Sequence, residues 1–124
     1  MHKLLFIFST LLMQGCSHDS KTHISQNDLL QQLANNSPVV IDVRSSLEYH
    51  AGHIPNALHI PFWTAFTTGQ LRSYSNNQPL VLYCEHGPRA GIAKLGLYMQ
   101  GFQNIRYLEG HMTTWRKAGL PISQ

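Results

Sequence analysis

A chain of 124 residues suffices for one domain with its own core, and 43% hydrophobic against 12% charged residues excludes a disordered polypeptide. The formal net charge of +3 is small, and Arg116 and Lys117 are the only adjacent basic pair, which argues against a nucleic-acid partner. A mildly basic surface would not repel a small anionic substrate.

Residues 4–13 form an apolar run behind His2 and Lys3, too short to span a bilayer but of the length of a signal-peptide core. Leu12, Met13, Gln14, Gly15 and Cys16 resemble the bacterial lipobox, in which the cysteine is diacylated and becomes the new N-terminus. Gly15 and Cys16 match, while Met13 and Gln14 depart from the usual residues. The resemblance implies a signal peptide over residues 1–15, lipidation of Cys16, and a bacterial cell-envelope lipoprotein at the periplasmic face, held to the membrane by its lipid anchor. Two acyl chains suffice for stable attachment. Ser17 does not match the aspartate associated with inner-membrane retention. Residues 16–24 are polar and read as a tether. Cys16 and Cys84 are the only cysteines. A lipidated Cys16 leaves Cys84 a free thiol in an oxidising compartment, where an idle thiol is usually avoided; a Cys16–Cys84 disulfide is the alternative for an unlipidated chain.

The domain itself is expected over residues 25–124. Residues 25–36 read as a helix, with Ser25 as N-cap, Asp28 at the third helical position and Leu29, Leu30 and Leu33 as the apolar face. Residues 38–43 and 79–83 are short, nearly unbroken apolar runs, as in strands covered on both faces. Residues 90–100 form a helix on which Ile92, Leu95, Gly96 and Met99 make an apolar stripe. Strands alternating with helices predict an α/β fold with a parallel sheet.

Cys84 then stands at the C-terminal end of a parallel strand, where open α/β sheets place their ligands. The backbone N–H groups that follow open a helix and favour an anion at the sulfur. Gly87 supplies freedom for a tight loop, Pro88 suits the first helical position, and Arg89 adds a fixed positive charge. The alternative is that Cys84 is a small buried hydrophobe at a strand end.

The spacing D-x-R-x3-E-Y-x2-G-H-I-x2-A from Asp42 to Ala57, followed by a strand ending in C-x2-G-x-R from Cys84 to Arg89, resembles the rhodanese family of sulfurtransferases. Gly101, Phe102, Asn104, Ile105, Leu108, Glu109, Gly110, Trp115, Gly119, Leu120 and Pro121 match the family's closing pattern. Asn56 replaces the usual glycine after Ile-Pro, and His111 replaces the second glycine of a Gly-Gly pair; His111 reads as a helix-start or rim residue. The resemblance implies a single rhodanese-like domain: a central, mostly parallel sheet of about five strands flanked by helices on both faces. It also implies a thiosulfate sulfurtransferase-like enzyme in which Cys84 takes a sulfane sulfur from a small anionic donor, forms a persulfide and passes it to a thiol or cyanide. Neither metal nor organic cofactor is implied.

The amides of Glu85, His86, Gly87, Pro88, Arg89 and Ala90, Pro88 excepted, are expected to surround the sulfur, with Arg89 holding the donor's oxyanion end. The loop from Cys84 to Arg89 is C-x4-R, one residue shorter than the C-x5-R phosphate cradle of related phosphatases, so it suits sulfur better than phosphate. Glu85 works against an anionic donor unless His86 or Arg89 offsets it; a persulfide or polysulfide is the alternative donor. Asp42, Arg44 and Glu48 are expected to form a scaffold ion-pair network, because buried charges must be paired. His50 with His53 and Cys84 with His86 have only loose metal-ligand spacings. A reading from a different class is a non-catalytic envelope module that binds a partner or senses redox state through Cys84.

Overall fold

The computed structural model describes residues 21–35 and 37–124. The expected signal peptide and Cys16 lie outside the described residues, as does most of the tether. Five strands, β1 (His23–Ile24), β2 (Val39–Asp42), β3 (Leu58–His59), β4 (Leu80–Tyr83) and β5 (Ile105–Leu108), form one sheet in the order β1-β5-β4-β2-β3. All four pairings are parallel. Between them run α1 (Gln26–Leu33), α2 (Ser46–Ala51), a 3-10 turn (Phe62–Thr64) and α3 (Pro88–Met99), and α4 (His111–Lys117) follows β5.

The period-two alternation of strand side chains divides the core into two layers. Ile41, Leu80, Leu82 and Cys84 face α3 and the 3-10 turn, together with Ala90, Ala93 and Leu97. Val40, Val81 and Tyr83 face α1 and α4, together with Leu29, Met112 and Trp115. Helices therefore cover both faces, and β4 is buried throughout. This is why residues 79–83 and 38–43 read as continuous apolar runs and not as alternating ones.

Ser25 caps α1, accepting from the Asp28 N–H at 3.1 Å, as its spacing predicts. The helix stops at Leu33, short of residue 36. His23 and Ile24, at the end of the expected tether, instead form β1, because Ile24 finds a buried seat beside Leu108 of β5. Asn56 adopts a left-handed turn with φ 65°, a conformation asparagine tolerates.

The apolar stripe expected on α3 is displaced. Ile92, Leu95 and Met99 are 45%, 56% and 70% exposed, and the helix is buried along Ala90, Ala93, Gly96 and Leu97. Small residues let the helix backbone come close to the 3-10 turn: a Cβ on Gly96 would stand 2.9 Å from backbone atoms of Ala65 and Phe66. Close approach won over side-chain size in choosing the buried face. No helix among the described residues is long and apolar enough to cross a membrane.

Candidate active site

The chain leaves β2 for β3 on one side and returns through β4 on the other, so the C-terminal ends of β2 and β4 mark the sheet's switch point. Cys84 follows β4 directly and is 1% exposed. Its Sγ accepts the Gly87 N–H at 2.9 Å. Gly87 has φ 132°, a conformation that strains any residue with a Cβ, and it ends the loop as the N-cap of α3 with Pro88 in the first turn. The expected ring of amides is narrower than supposed. Ala90 N–H bonds to the Gly87 carbonyl at 3.1 Å as the first helical bond, because α3 begins at Pro88. Gly87 is the residue whose amide reaches the sulfur.

The other wall comes from α4. Met112 N–H donates to the Cys84 carbonyl at 3.0 Å and Thr113 N–H to the Glu85 carbonyl at 3.3 Å, stitching the loop to the helix start. His111 Nδ1 accepts the Cys84 N–H at 3.2 Å. Burial pushes the His111 pKa below its usual value and keeps the ring neutral. Tyr107 lies on the same side, its ring 6.3 Å from that of His111. Its hydroxyl pKa is raised by burial and by the nearby Cys84.

The charged residues form one chain, Asp42–Arg44–Glu85–Arg116, and a separate Glu48–Arg89 pair, so Glu48 stands outside the network expected of it. Arg44 is buried; its Nε and Nη2 grip the two oxygens of Asp42 at 3.1 and 2.8 Å, and Nη2 also donates to the Gly52 carbonyl at 2.6 Å. Desolvation lowers the Arg44 pKa, but the bonds to Asp42 outweigh it, and the guanidinium stays charged. Glu48 turns away from Arg44. It closes a capping box with Ser45 at the start of α2 and takes both Nη1 and Nη2 of Arg89, at 2.6 and 2.8 Å. The Arg89 bonds, helped by Ser45, bring the Glu48 pKa down to about 2.

Arg89 therefore gives two of its N–H groups to a carboxylate in place of standing free at the loop. The charges of Cys84 and Glu85 also help raise the Arg89 pKa, after its bonds to Glu48, so Arg89 offsets Glu85 in part, while the His86 Nδ1 is turned to Thr113 Oγ1 at 3.3 Å. Glu85 meets Arg116 Nη2 at 2.9 Å and Arg44 Nη1 at 3.5 Å, which hold its carboxyl below the usual range. Arg116 was not singled out by the sequence, since thirty-one residues separate it from Glu85. His50 bonds its own helix at Ser46, and His53 stacks on Tyr49 with ring centroids 3.8 Å apart, so neither faces Cys84 or His86.

A parallel five-stranded α/β sheet with a lone cysteine at its switch point, seated in a short loop at a helix start, defines a single-cysteine domain of the rhodanese fold. The chain belongs to the rhodanese-like domain family, whose model matches residues 25–118. It is 31% identical to a sulfurtransferase of Allochromatium vinosum over 80% of this chain and 92% of that one. It is also 31% identical to a tRNA uridine(34) hydroxylase of Buchnera aphidicola, over 81% of this chain but only 35% of the relative, so it spans about a third of that protein's length. Among solved structures, a rhodanese-related protein from Thermoplasma volcanium superposes with TM-score 0.68 at 26% identity, covering 82% of this chain and 97% of that one. A thiosulfate sulfurtransferase from Pseudomonas aeruginosa gives TM-score 0.74 at 20% identity over 83% of this chain and 20% of that one, a likeness of fold alone.

Proposed function

We propose that the protein is a sulfurtransferase that carries sulfane sulfur on Cys84. The observation that carries this reading is the Gly87 N–H, 2.9 Å from Sγ, in a loop that turns from the strand end into α3. An N–H donor at that distance lowers the energy of a thiolate and of a sulfur anion attached to it. The Cys84 thiolate attacks the outer sulfur of thiosulfate; the sulfur–sulfur bond breaks and its electron pair leaves with sulfite. The new Sγ–S bond gives a persulfide anion. In the second half-reaction cyanide or a thiolate takes that outer sulfur and the Cys84 thiolate is restored.

The carboxylates bonded to the arginines near the loop favour a persulfide or polysulfide donor over thiosulfate. With Arg44, Arg89 and Arg116 each bonded to a carboxylate, the net positive charge near the loop that a doubly charged donor would meet is reduced. The sequence of residues 1–16 supports a lipid-anchored position in the cell envelope, with donor and acceptor drawn from the periplasm.

The test is mass determination of the intact protein after exposure to thiosulfate or to polysulfide, followed by cyanide. A gain of one sulfur on Cys84, removed by cyanide and absent from Cys84→Ser, is expected. A wild-type chain that never gains sulfur from either donor overturns the reading in favour of a binding or redox-sensing module.

A further inference from the structure

The ring of His111 stands where the family's sequence pattern carries a glycine, and it holds a backbone conformation, φ 53°, that side chains rarely adopt. Strain of this kind persists where the surroundings over-determine it, and it gathers at functional sites. Here the surroundings are the reacting residue itself. A backbone N–H can only donate, so the Nδ1 that meets the Cys84 N–H carries no proton, and the neutral ring bears its proton on Nε2.

Nε2 lies against the loop: it would stand 3.3 Å from a Cβ placed on Gly87, the residue whose N–H holds Sγ. The donor is thus next to the amide that already cradles the sulfur. A persulfide extends the side chain by about 2 Å, one sulfur–sulfur bond. The three arginines of the neighbourhood are bonded to carboxylates. Their charge is thus largely offset, and uncharged N–H donors beside Sγ add to what meets the charge on that outer sulfur.

We propose that His111 is a catalytic group in the Cys84 reaction, its Nε2–H donating to the outer sulfur, which carries the negative charge of the persulfide anion. The inference rests on the sulfur-transfer reading and adds to it a donor that the glycine of the family pattern could not supply. As the thiolate displaces sulfite, the electron pair of the broken bond leaves with sulfite. The transferred sulfur keeps its charge, and Nε2–H holds it by a hydrogen bond without giving up the proton.

The experiment follows persulfide formation on the full chain by mass, in wild type, His111→Gly, His111→Asn and His111→Gln, with thermal melting of each. Glycine and asparagine both accept φ 53°, but neither carries a donor as far as Nε2. Loss of one preorganised donor to the reacting anion slows such a step by roughly a hundredfold, and that loss is expected for both. Glutamine offers Oε1 to the Cys84 N–H and its amide N–H to the sulfur, and is expected to restore the rate to within about tenfold of wild type. A purely structural role predicts rates that follow melting temperature, with no rescue particular to glutamine. Wild-type rates in folded His111→Gly or His111→Asn overturn the inference and leave sulfur transfer standing. A wild type that gains no sulfur overturns both.

Discussion

Arg89 and Glu48 are joined by two side-by-side hydrogen bonds, Nη1 to Oε1 at 2.6 Å and Nη2 to Oε2 at 2.8 Å, which clamp the first turn of α3 to α2. The pair is partly exposed, so its contribution is modest, and Glu48→Gln is expected to lower stability by about 1 kcal/mol at pH 7. Because the folded Glu48 pKa lies at about 2, below its ordinary 4.5, this stabilisation is complete above pH 4.5 and is lost as pH falls toward 2. Urea unfolding of wild type and Glu48→Gln across that window should show the two curves converging in acid. A constant gap would mean that the carboxylate charge contributes nothing.

His111 titrates in a different window. Its pKa is pushed down by burial, so the unfolded chain binds that proton more readily than the folded one. Stability from this residue is complete above about pH 6.5, the ordinary histidine value, and declines as pH falls below it. The groups against the ring are the Cys84 N–H, Gly87 and the Tyr107 ring, with no carboxylate among them to reward protonation. The stability advantage of wild type over His111→Gln should therefore shrink between pH 6.5 and 5, as read by denaturant midpoints.

Gly96 tests the close contact between α3 and the 3-10 turn. A methyl group there would meet backbone atoms at 2.9 Å, which cannot give way as a flexible side chain can. Gly96→Ala gains helix propensity but overpacks, and a net loss of about 1–3 kcal/mol is expected in chemical denaturation.

The displaced face of α3 makes the converse prediction. Ile92→Lys and Leu95→Lys replace exposed side chains and should each move stability by less than about 0.5 kcal/mol. Leu97→Ala, in the core beside Leu80 and Leu82, should cost about 2–5 kcal/mol. Melting curves of the three variants decide between the two helix faces.

What was legible in the sequence was whatever repeats locally. Ser25 and Asp28 announced the start of α1, the runs 38–43 and 79–83 announced central strands, and Cys84 to Arg89 announced the loop at a strand end. What was not legible depends on partners far apart in the chain. Arg89 was expected to meet a donor because nothing in its neighbourhood shows Glu48, forty-one residues earlier, reaching it first. Glu85 looked unbalanced because Arg116 approaches it only once α4 docks on the loop. The stripe of Ile92, Leu95 and Met99 has the right period for burial, as does that of Ala90, Ala93 and Leu97, and periodicity alone does not say which one a crowded sheet admits. His111 gave a signal, a large ring where the family carries glycine, but its bond to Cys84 exists only in three dimensions.

Gly87 and His111 share one small volume, empty on the first residue and filled by the second. The division runs one way, since φ 132° at position 87 strains any side chain there, while position 111 carries its ring at φ 53°. Residue 111 thereby fills the space that Gly87 leaves open beside the sulfur's amide donor. A side chain of another size at position 111 would therefore reshape the space beside the sulfur's amide donor while leaving Gly87 itself unchanged.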